Sequence, residues 1–551
     1  MLPGFFSKKE RRVMLLNFLF YWIVIPGFLI YISTIFDAKI MITFPRVKLL
    51  YIIGVFNLIA SFDYASRTAY LMKHFGKGLP VARFHPTKLV KIGLFNRVRH
   101  PLYFAYSFYL IGIAIFYQSF SFYSIIVPCF IILILIYAKF SEEHVLKKRF
   151  GDEFLKYKKS VPFIIPRKRN LDFNRAPGAV YWIMYLVLKP VLLKVLYNVE
   201  FKTQENIPEE GPMVFIAFHT NYLDPFLAGT GAKHFIQWVM SSLYFQDWFP
   251  RFFFTHLGAF PRKRYSADVK SIRTFLEMVR DKSCIGYYPE GARSWLGNPI
   301  SLLDAAVKLL VRSEILIIPV KVHGGYQGWP RWSNTWRRVK IVVEYGKPFR
   351  LNKKNSLEEN KQVIYDNLII DDLWEVETLT KINPIVGLER IIWECPQCSM
   401  ENPWVIKEKD QMVCKNCAAK VKLKRNFKIE FQGKEKKIFT IPEIYEFIKK
   451  RLLERRKKWD KIVINFKKFL IQTEEEKIWK ELQDAKVIIK DSELIVSSSK
   501  YNFKSKIKDL NWITIEKNFI LQFKIQDYFM RMYFDRDVLK WFSLLETDIL
   551  I

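Results

Sequence analysis

The sequence predicts a multidomain protein: an all-α polytopic membrane region, an α/β region, a cysteine-bearing ribbon and a small mostly-β unit with a C-terminal helix. Three observations predict it. Apolar runs long enough to cross a bilayer crowd into the first 138 residues. Short apolar strands alternate with helical periodicity from Val199 to about Leu379. Two Cys-x-x-Cys pairs precede a series of short alternating strands. The expected units are 1–166, 178–385, 390–425 and 426–551. A chain of 551 residues exceeds the roughly 250–300 that one core serves. Lys+Arg 87 against Asp+Glu 53 gives +34, which calls for an anionic partner, nucleic acid or anionic lipid. Half the residues are hydrophobic and 16% aromatic, which excludes a disordered chain. Six cysteines in this length exclude a disulfide-stapled secreted fold.

The first run, Val13 to about Phe36, follows Lys8, Lys9, Arg11 and Arg12. It exceeds both the roughly 20 residues of a span and a signal-peptide core, and no small-residue cleavage site follows, so a retained helix is expected. Further spans are expected at Leu49–Leu71, Leu102–Tyr117 and Phe122–Ala138, the last two joined by the uncharged turn Gln118–Ser121. Basic residues cluster before the first span, between Lys73 and Arg99, and after Lys139. The positive-inside rule then predicts four crossings, with the N-terminus and the C-terminal bulk both cytoplasmic. Residues 166–177 read as a polar, basic linker. The aromatic-rich stretch Val180–Leu196 could cross as well, but its Lys189-Pro190 interruption favours lying in the interface.

Between the second and third spans stands Gly93-x4-Val98-Arg99-His100-Pro101-x-Tyr103. After the fourth come Glu142-Glu143 and Phe150-Gly151-x-Glu153-Phe154-x-x-Tyr157. Charges at a membrane boundary are ordinarily snorkelling side chains. Both halves together, in this order, resemble the isoprenylcysteine and phospholipid methyltransferase family over residues 45–166. The resemblance implies S-adenosylmethionine in a membrane-facing cavity, contacted by Arg99, His100, Tyr103, Glu142 and Glu143. Ala105 departs from the small glycine that many members carry there. The methyl acceptor is not readable.

His219-x4-Asp224 follows an apolar strand, Met213–Phe218, and lets a carboxylate orient an imidazole for general-base work. Alone the spacing is weak. Three later segments strengthen it: Gly258-Ala-Phe260-Pro-Arg-Lys-Arg264, Tyr288-Pro-Glu290-Gly291-Ala-Arg293-Ser294 and Ile318-Pro-Val320. Two arginines suit bidentate phosphate recognition. Over residues 180–350 the set resembles the glycerolipid acyltransferase family that includes the 1-acylglycerol-3-phosphate acyltransferases. The resemblance implies His219 as general base, Asp224 as its orienter, and Arg264, Glu290, Gly291 and Arg293 as a glycerophosphate pocket. It implies acyl transfer from a thioester, acyl-CoA or acyl-ACP, to a lysolipid hydroxyl. Phe218 and Asn221 depart from the common Asn and Ser.

Cys395-x2-Cys398, a 15-residue spacer and Cys414-x2-Cys417 have the spacing of a structural zinc ribbon. Such thiolate ligation implies a reducing compartment, which places this end in the cytoplasm. Cys129 and Cys284 lie in apolar stretches and read as inert. Few aromatics accompany the ribbon's basic residues, so nucleic acid is a weak expectation beside membrane phospholipids and lysolipids. Ile441–Trp459 reads as a very basic helix, attracted to an anionic lipid surface or simply solvated. The strands from Ile462 to Phe534 and the helix at about Asp535–Leu545 weakly resemble a pleckstrin-homology or GRAM-type fold. That implies a lipid- or protein-docking module. The leading expectation is a bifunctional lipid enzyme; the alternatives are an acyltransferase on an inactive methyltransferase-like anchor, and a non-catalytic scaffold.

Overall fold

In the computed structural model the described residues are all except 1–6, 42–45, 82–83, 167–175, 233, 263–267, 371–375, 377, 381–383, 467, 474–478, 500, 517 and 551. Most of the expected 166–177 linker, and Arg264, therefore lie outside them. Among the described residues, four helical stretches are long and apolar enough to cross a membrane: Lys8–Ile40, Lys48–His74, Phe122–Ser160 and Ala179–Leu196. Pro101–Tyr117 is a shorter apolar helix of 17 residues. The count matches the expected four, but the membership differs. The helices at 48–74 and 101–117 cross tightly at two glycines. A Cβ on Gly54 would meet the Phe116 Cβ at 2.9 Å, and one on Gly112 would meet Leu58 at 3.1 Å. Phe20, Phe28, Tyr31, Phe56, Leu133 and Phe140 remain exposed, the reverse of a water-soluble bundle. Asp37 ties down the turn Gln118–Ser121, accepting from the Ser121 N–H at 2.9 Å and from the Ser119 hydroxyl.

Ala179–Leu196 passes Pro190 by a π-helical turn, Val191–Leu196. It packs against the 48–74 helix and touches the α/β unit at both ends. Tyr181 meets Phe235 edge-on at 5.0 Å near one end, and Arg338 donates to the Lys194 carbonyl at 3.5 Å near the other. Ile183, Leu186, Val187, Val191 and Val195 are left exposed on its far side.

The α/β unit is a seven-stranded sheet of β1 (Asn198–Lys202), β2 (Met213–Ile216), β3 (Ile236–Ser241), β4 (Phe260–Arg262), β5 (Cys284–Tyr287), β6 (Leu316–His323) and β7 (Lys340–Tyr345). The order is β1-β7-β6-β2-β5-β3-β4, and only β6 and β7 pair antiparallel. Parallel strands buried on both faces read as continuous apolar runs, as Met213–Ile216 does. Alternate residues serve opposite faces: Val214 and Ile216 join one core, Met213 and Phe215 the other. Helices Val269–Arg280, Asp304–Ser313 and Leu357–Leu368 cover the first core.

Beyond it, the cysteine region forms a five-stranded antiparallel sheet between Trp404 and Phe439, followed by the helix Ile441–Arg456. Two further antiparallel sheets, of four and five strands, occupy residues 461–533, and the helix Val538–Leu550 packs on them. This is the β-rich unit closed by a helix that the sequence predicts. One hydrophobic core runs through ribbon, β-rich unit and the far end of the α/β unit, joining Trp332 and Tyr326 to Phe427.

Candidate functional site

His219 stands three residues past the C-terminal end of β2, the edge where open α/β sheets place their ligands. Asp224 opens the short helix Asp224–Thr230 and is fully buried. Its Oδ2 accepts from three groups: His219 Nδ1 at 3.0 Å, the Thr220 N–H at 2.7 Å and the Asn221 N–H at 2.8 Å. The loop thus wraps its own carboxylate. Asn221 fixes the loop from behind, donating to the Gly325 carbonyl at 2.7 Å and accepting from the Leu223 N–H at 2.8 Å. With Nδ1–H donated to Asp224, the neutral ring carries its lone pair on Nε2. The Tyr288 ring stacks on the imidazole, centroids 4.3 Å apart, and Trp238 stacks on Tyr288 at 5.4 Å. Tyr288 belongs to a recognised segment without an assigned task. Trp238 gave no signal at all, because nothing local marks a β3 tryptophan as facing the β2 loop.

The segment Tyr288–Ser294 lies against the same loop. Ser294 donates its N–H to the His219 carbonyl at 2.8 Å. Glu290 is buried, with Oε2 accepting from the His219 N–H at 2.6 Å and Oε1 from the Ile300 N–H at 2.9 Å. Burial pushes its carboxyl up to about 8, against the partial relief of those two N–H donors. Both oxygens therefore brace backbone. Gly291 has φ +72, and a Cβ there would meet Leu303 at 2.5 Å, so the turn demands glycine. The Arg293 guanidinium lies 3.2 Å from the Tyr222 ring centroid, with Nη1 buried and lacking a hydrogen-bond partner among the described residues. An unpaired buried guanidinium nitrogen suits an anion. Arg264 lies outside the described residues; Arg262, in the same segment, donates to the Tyr287 hydroxyl.

In the membrane unit, the four charged residues of the first motif converge. Glu143 is buried, 3.1 Å from Arg99 Nη1, 3.4 Å from His100 Nε2 and 2.6 Å from Lys158 Nζ. Glu142 is more open; its Oε2 lies 4.0 Å from His100 Nδ1, and Tyr103 pairs with it. Arg99 and His100 also meet the Phe163 ring, at 5.6 and 5.1 Å. Arg99 Nε is buried without a partner among the described residues. A pocket with an unpaired guanidinium nitrogen and a half-open carboxylate fits a ligand carrying both signs, as S-adenosylmethionine does. Glu143, held by Arg99, His100 and Lys158, sits at the centre of this cluster. Lys158 was missed in the sequence, since its spacing from Glu143 is unremarkable on a basic helix.

The four ribbon sulfurs lie within 4.8 Å of one another, with Cys395–Cys417 and Cys398–Cys414 each at 3.6 Å. A tetrahedral zinc with Zn–S of about 2.3 Å separates sulfurs by about 3.8 Å, so the set fits one zinc. The two knuckles are alike: Ser399 and Ala418 take positive φ and donate back to the Cys395 and Cys414 carbonyls at 3.0 and 3.1 Å.

Known proteins match in the same two places. Residues 198–323 match the Acyltransferase family model and residues 47–153 the Phospholipid methyltransferase family model. A 1-acyl-sn-glycerol-3-phosphate acyltransferase of Bacillus subtilis is 23% identical over 159 residues, 29% of this chain and 77% of that protein. One from Limnanthes douglasii is 22% identical over 218 residues, 37% of this chain and 70% of that protein. The crystal structure of a 1-acyl-sn-glycerophosphate acyltransferase from Thermotoga maritima aligns at 17% identity and TM-score 0.29, covering 49% of this chain and 94% of that one. The chain thus joins a phospholipid-methyltransferase domain in its N-terminal part to an acyltransferase domain in its centre.

Proposed function

We propose that the chain is a membrane-bound acyltransferase that moves an acyl group from a thioester, acyl-CoA or acyl-ACP, to the free hydroxyl of a lysophospholipid such as 1-acylglycerol-3-phosphate. The observation that carries it is the buried Asp224 carboxylate, which holds His219 by Nδ1 and the loop by two N–H groups. His219 Nε2 takes the hydroxyl proton as the oxygen attacks the thioester carbonyl. The C–S bond then breaks, and the imidazolium returns the proton to the departing thiolate. Arg293 meets the acceptor's anionic head group, with Arg264 as its expected partner, while Glu290 and Gly291 hold the turn that aims Arg293. The test is product formation by detergent-solubilised protein given 1-acylglycerol-3-phosphate and, in parallel, acyl-CoA or acyl-ACP. His219→Ala should lose about 10²–10⁴-fold in rate. An undiminished rate would overturn the assignment.

The cluster of Arg99, His100, Glu142 and Glu143 favours a second activity, methyl transfer from S-adenosylmethionine to a lipid, over an inert anchor. S-adenosylmethionine, when bound, would supply an electrophilic methyl group. Arg99 would hold its carboxylate and Glu142 its ammonium or ribose hydroxyls, with Glu143, itself paired to Lys158, fixing the Arg99 and His100 side chains. The units 1–166, 178–385, 390–425 and 426–551 then divide the work: methyl transfer, acyl transfer, a zinc-stapled ribbon and a docking module. Crossings at 8–40, 48–74, 101–117 and 122–160, with 179–196 in the interface, would keep the N-terminus and every catalytic unit cytoplasmic. Basic loops on that side support this orientation.

A further inference from the structure

The turn between the strands Leu510–Glu516 and Ile520–Ile525 reaches the candidate acyl-transfer site, and Asn518 in it bonds a residue 296 positions away. Asn518 has φ +63. Its Nδ2 donates to the Tyr222 hydroxyl at 3.1 Å and to the Arg331 carbonyl at 2.7 Å. Its Oδ1 accepts from Arg331 Nε at 3.3 Å. Arg331 is buried against Trp295 and donates once more to this hairpin, at the Ile515 carbonyl. Its third contact is with the site, Nη1 to the Arg293 carbonyl at 2.7 Å.

Two routes therefore run from Asn518 to Arg293. One passes through Tyr222, whose ring carries the Arg293 guanidinium and which lies inside the His219–Asp224 loop. The other passes through Arg331 to the Arg293 backbone. Arg293 is thus held at ring and backbone while its Nη1 stays buried and unpaired among the described residues. Asn518 lies far outside residues 198–323, the stretch that matches the acyltransferase family model. A β-rich unit that merely followed the enzyme in sequence would have no reason to place a hydrogen-bonding turn on this arginine.

We propose that Asn518 is a positioning residue for acyl transfer, holding Tyr222 and Arg331 so that Arg293 presents a nitrogen to the acceptor's phosphate. The C-terminal β-rich unit is then part of the acceptor site, and whatever docks on that unit can alter acceptor affinity. The inference rests on the acyltransferase reading above. Its test uses the full-length detergent-solubilised protein, with 1-acylglycerol-3-phosphate as acceptor and acyl-CoA as donor. Asn518→Gly keeps the left-handed turn and removes every amide contact. Expected is a roughly 3- to 12-fold rise in acceptor KM, the scale of one lost neutral hydrogen bond, with kcat and donor KM within about twofold. Tyr222→Phe keeps the ring and loses the hydroxyl; combined with Asn518→Gly it should add nothing further, because the bond is already gone. An unchanged acceptor KM would overturn the proposal, as would kcat and melting temperature falling together. If the wild-type protein acylates no lysophospholipid with either thioester, the acyltransferase reading fails and this inference falls with it.

Discussion

Burial strips water from the Glu290 carboxyl, and two backbone N–H groups replace only part of it. Its pKa consequently moves from the ordinary carboxyl value of 4.5 up to about 8. Between those values the folded state keeps a proton that the unfolded chain has released. Stability from this group is complete below pH 4.5 and is lost as pH rises towards 8, at up to about 1.4 kcal/mol per pH unit. Glu290→Gln has no proton to release. Parallel thermal melts from pH 5 to pH 8 should show the wild-type protein losing ground to Glu290→Gln as pH rises. A pH-independent difference between the two would contradict the assigned shift. The His219–Asp224 spacing was legible in the sequence because the pair sits in one short loop. The brace was not, because Glu290 acts on His219 across 71 positions and through a backbone N–H that no motif records.

The helix Ile441–Arg456 turns two of its cations away from solvent. Arg451 and Arg455 both reach the fully buried Glu394, and Arg451 donates to the Pro396 carbonyl at 2.6 Å and to the Ser399 hydroxyl. Pro396 and Ser399 flank the first zinc knuckle, so the helix clamps the ribbon. Sequence periodicity showed a basic helix suited to an anionic surface, yet its internal face is set by a glutamate more than 50 positions earlier. Removing Arg455 leaves that carboxylate short of a partner in a dry site, a cost of about 1–3 kcal/mol. Arg455→Ala should therefore melt earlier while still holding one zinc per chain by elemental analysis. Cys414→Ser should lose the metal, because three thiolates cannot close a structural tetrahedron. Loss of zinc in Arg455→Ala would show clamp and metal to be one device. The knuckles themselves were readable from spacing alone, since each is a local turn.

The two transferase-like domains meet at a built joint. Arg67, buried, pairs with Asp63 at 2.6 Å and donates to the Ala176 carbonyl at 3.0 Å, while Asp63 accepts from the Val180 N–H at 3.2 Å. Tyr70 and Tyr181 both pack edge-on against Phe235, and Lys77 pairs with Glu210 across the same boundary. The sequence showed Asp63 and Arg67 only as interruptions of a span, because their partners arrive from beyond residue 175. A Cβ on Gly178 would collide with the Asp63 carboxylate. Gly178→Ala should thus open the joint, at the roughly 1–3 kcal/mol typical of overpacking. The two activities should respond to it together. Glu142→Ala, by contrast, removes a carboxylate from the methyltransferase-like pocket and touches nothing at the joint. S-adenosylmethionine binding, followed by calorimetry on detergent-solubilised protein, should weaken by about 1.5–3 kcal/mol in Glu142→Ala, the range for a charge-assisted hydrogen bond. Acyl transfer in the same preparation should be unchanged. Wild-type protein that binds no S-adenosylmethionine would reduce residues 1–166 to an anchor, and the joint would then serve only to hold the acyltransferase domain against the membrane.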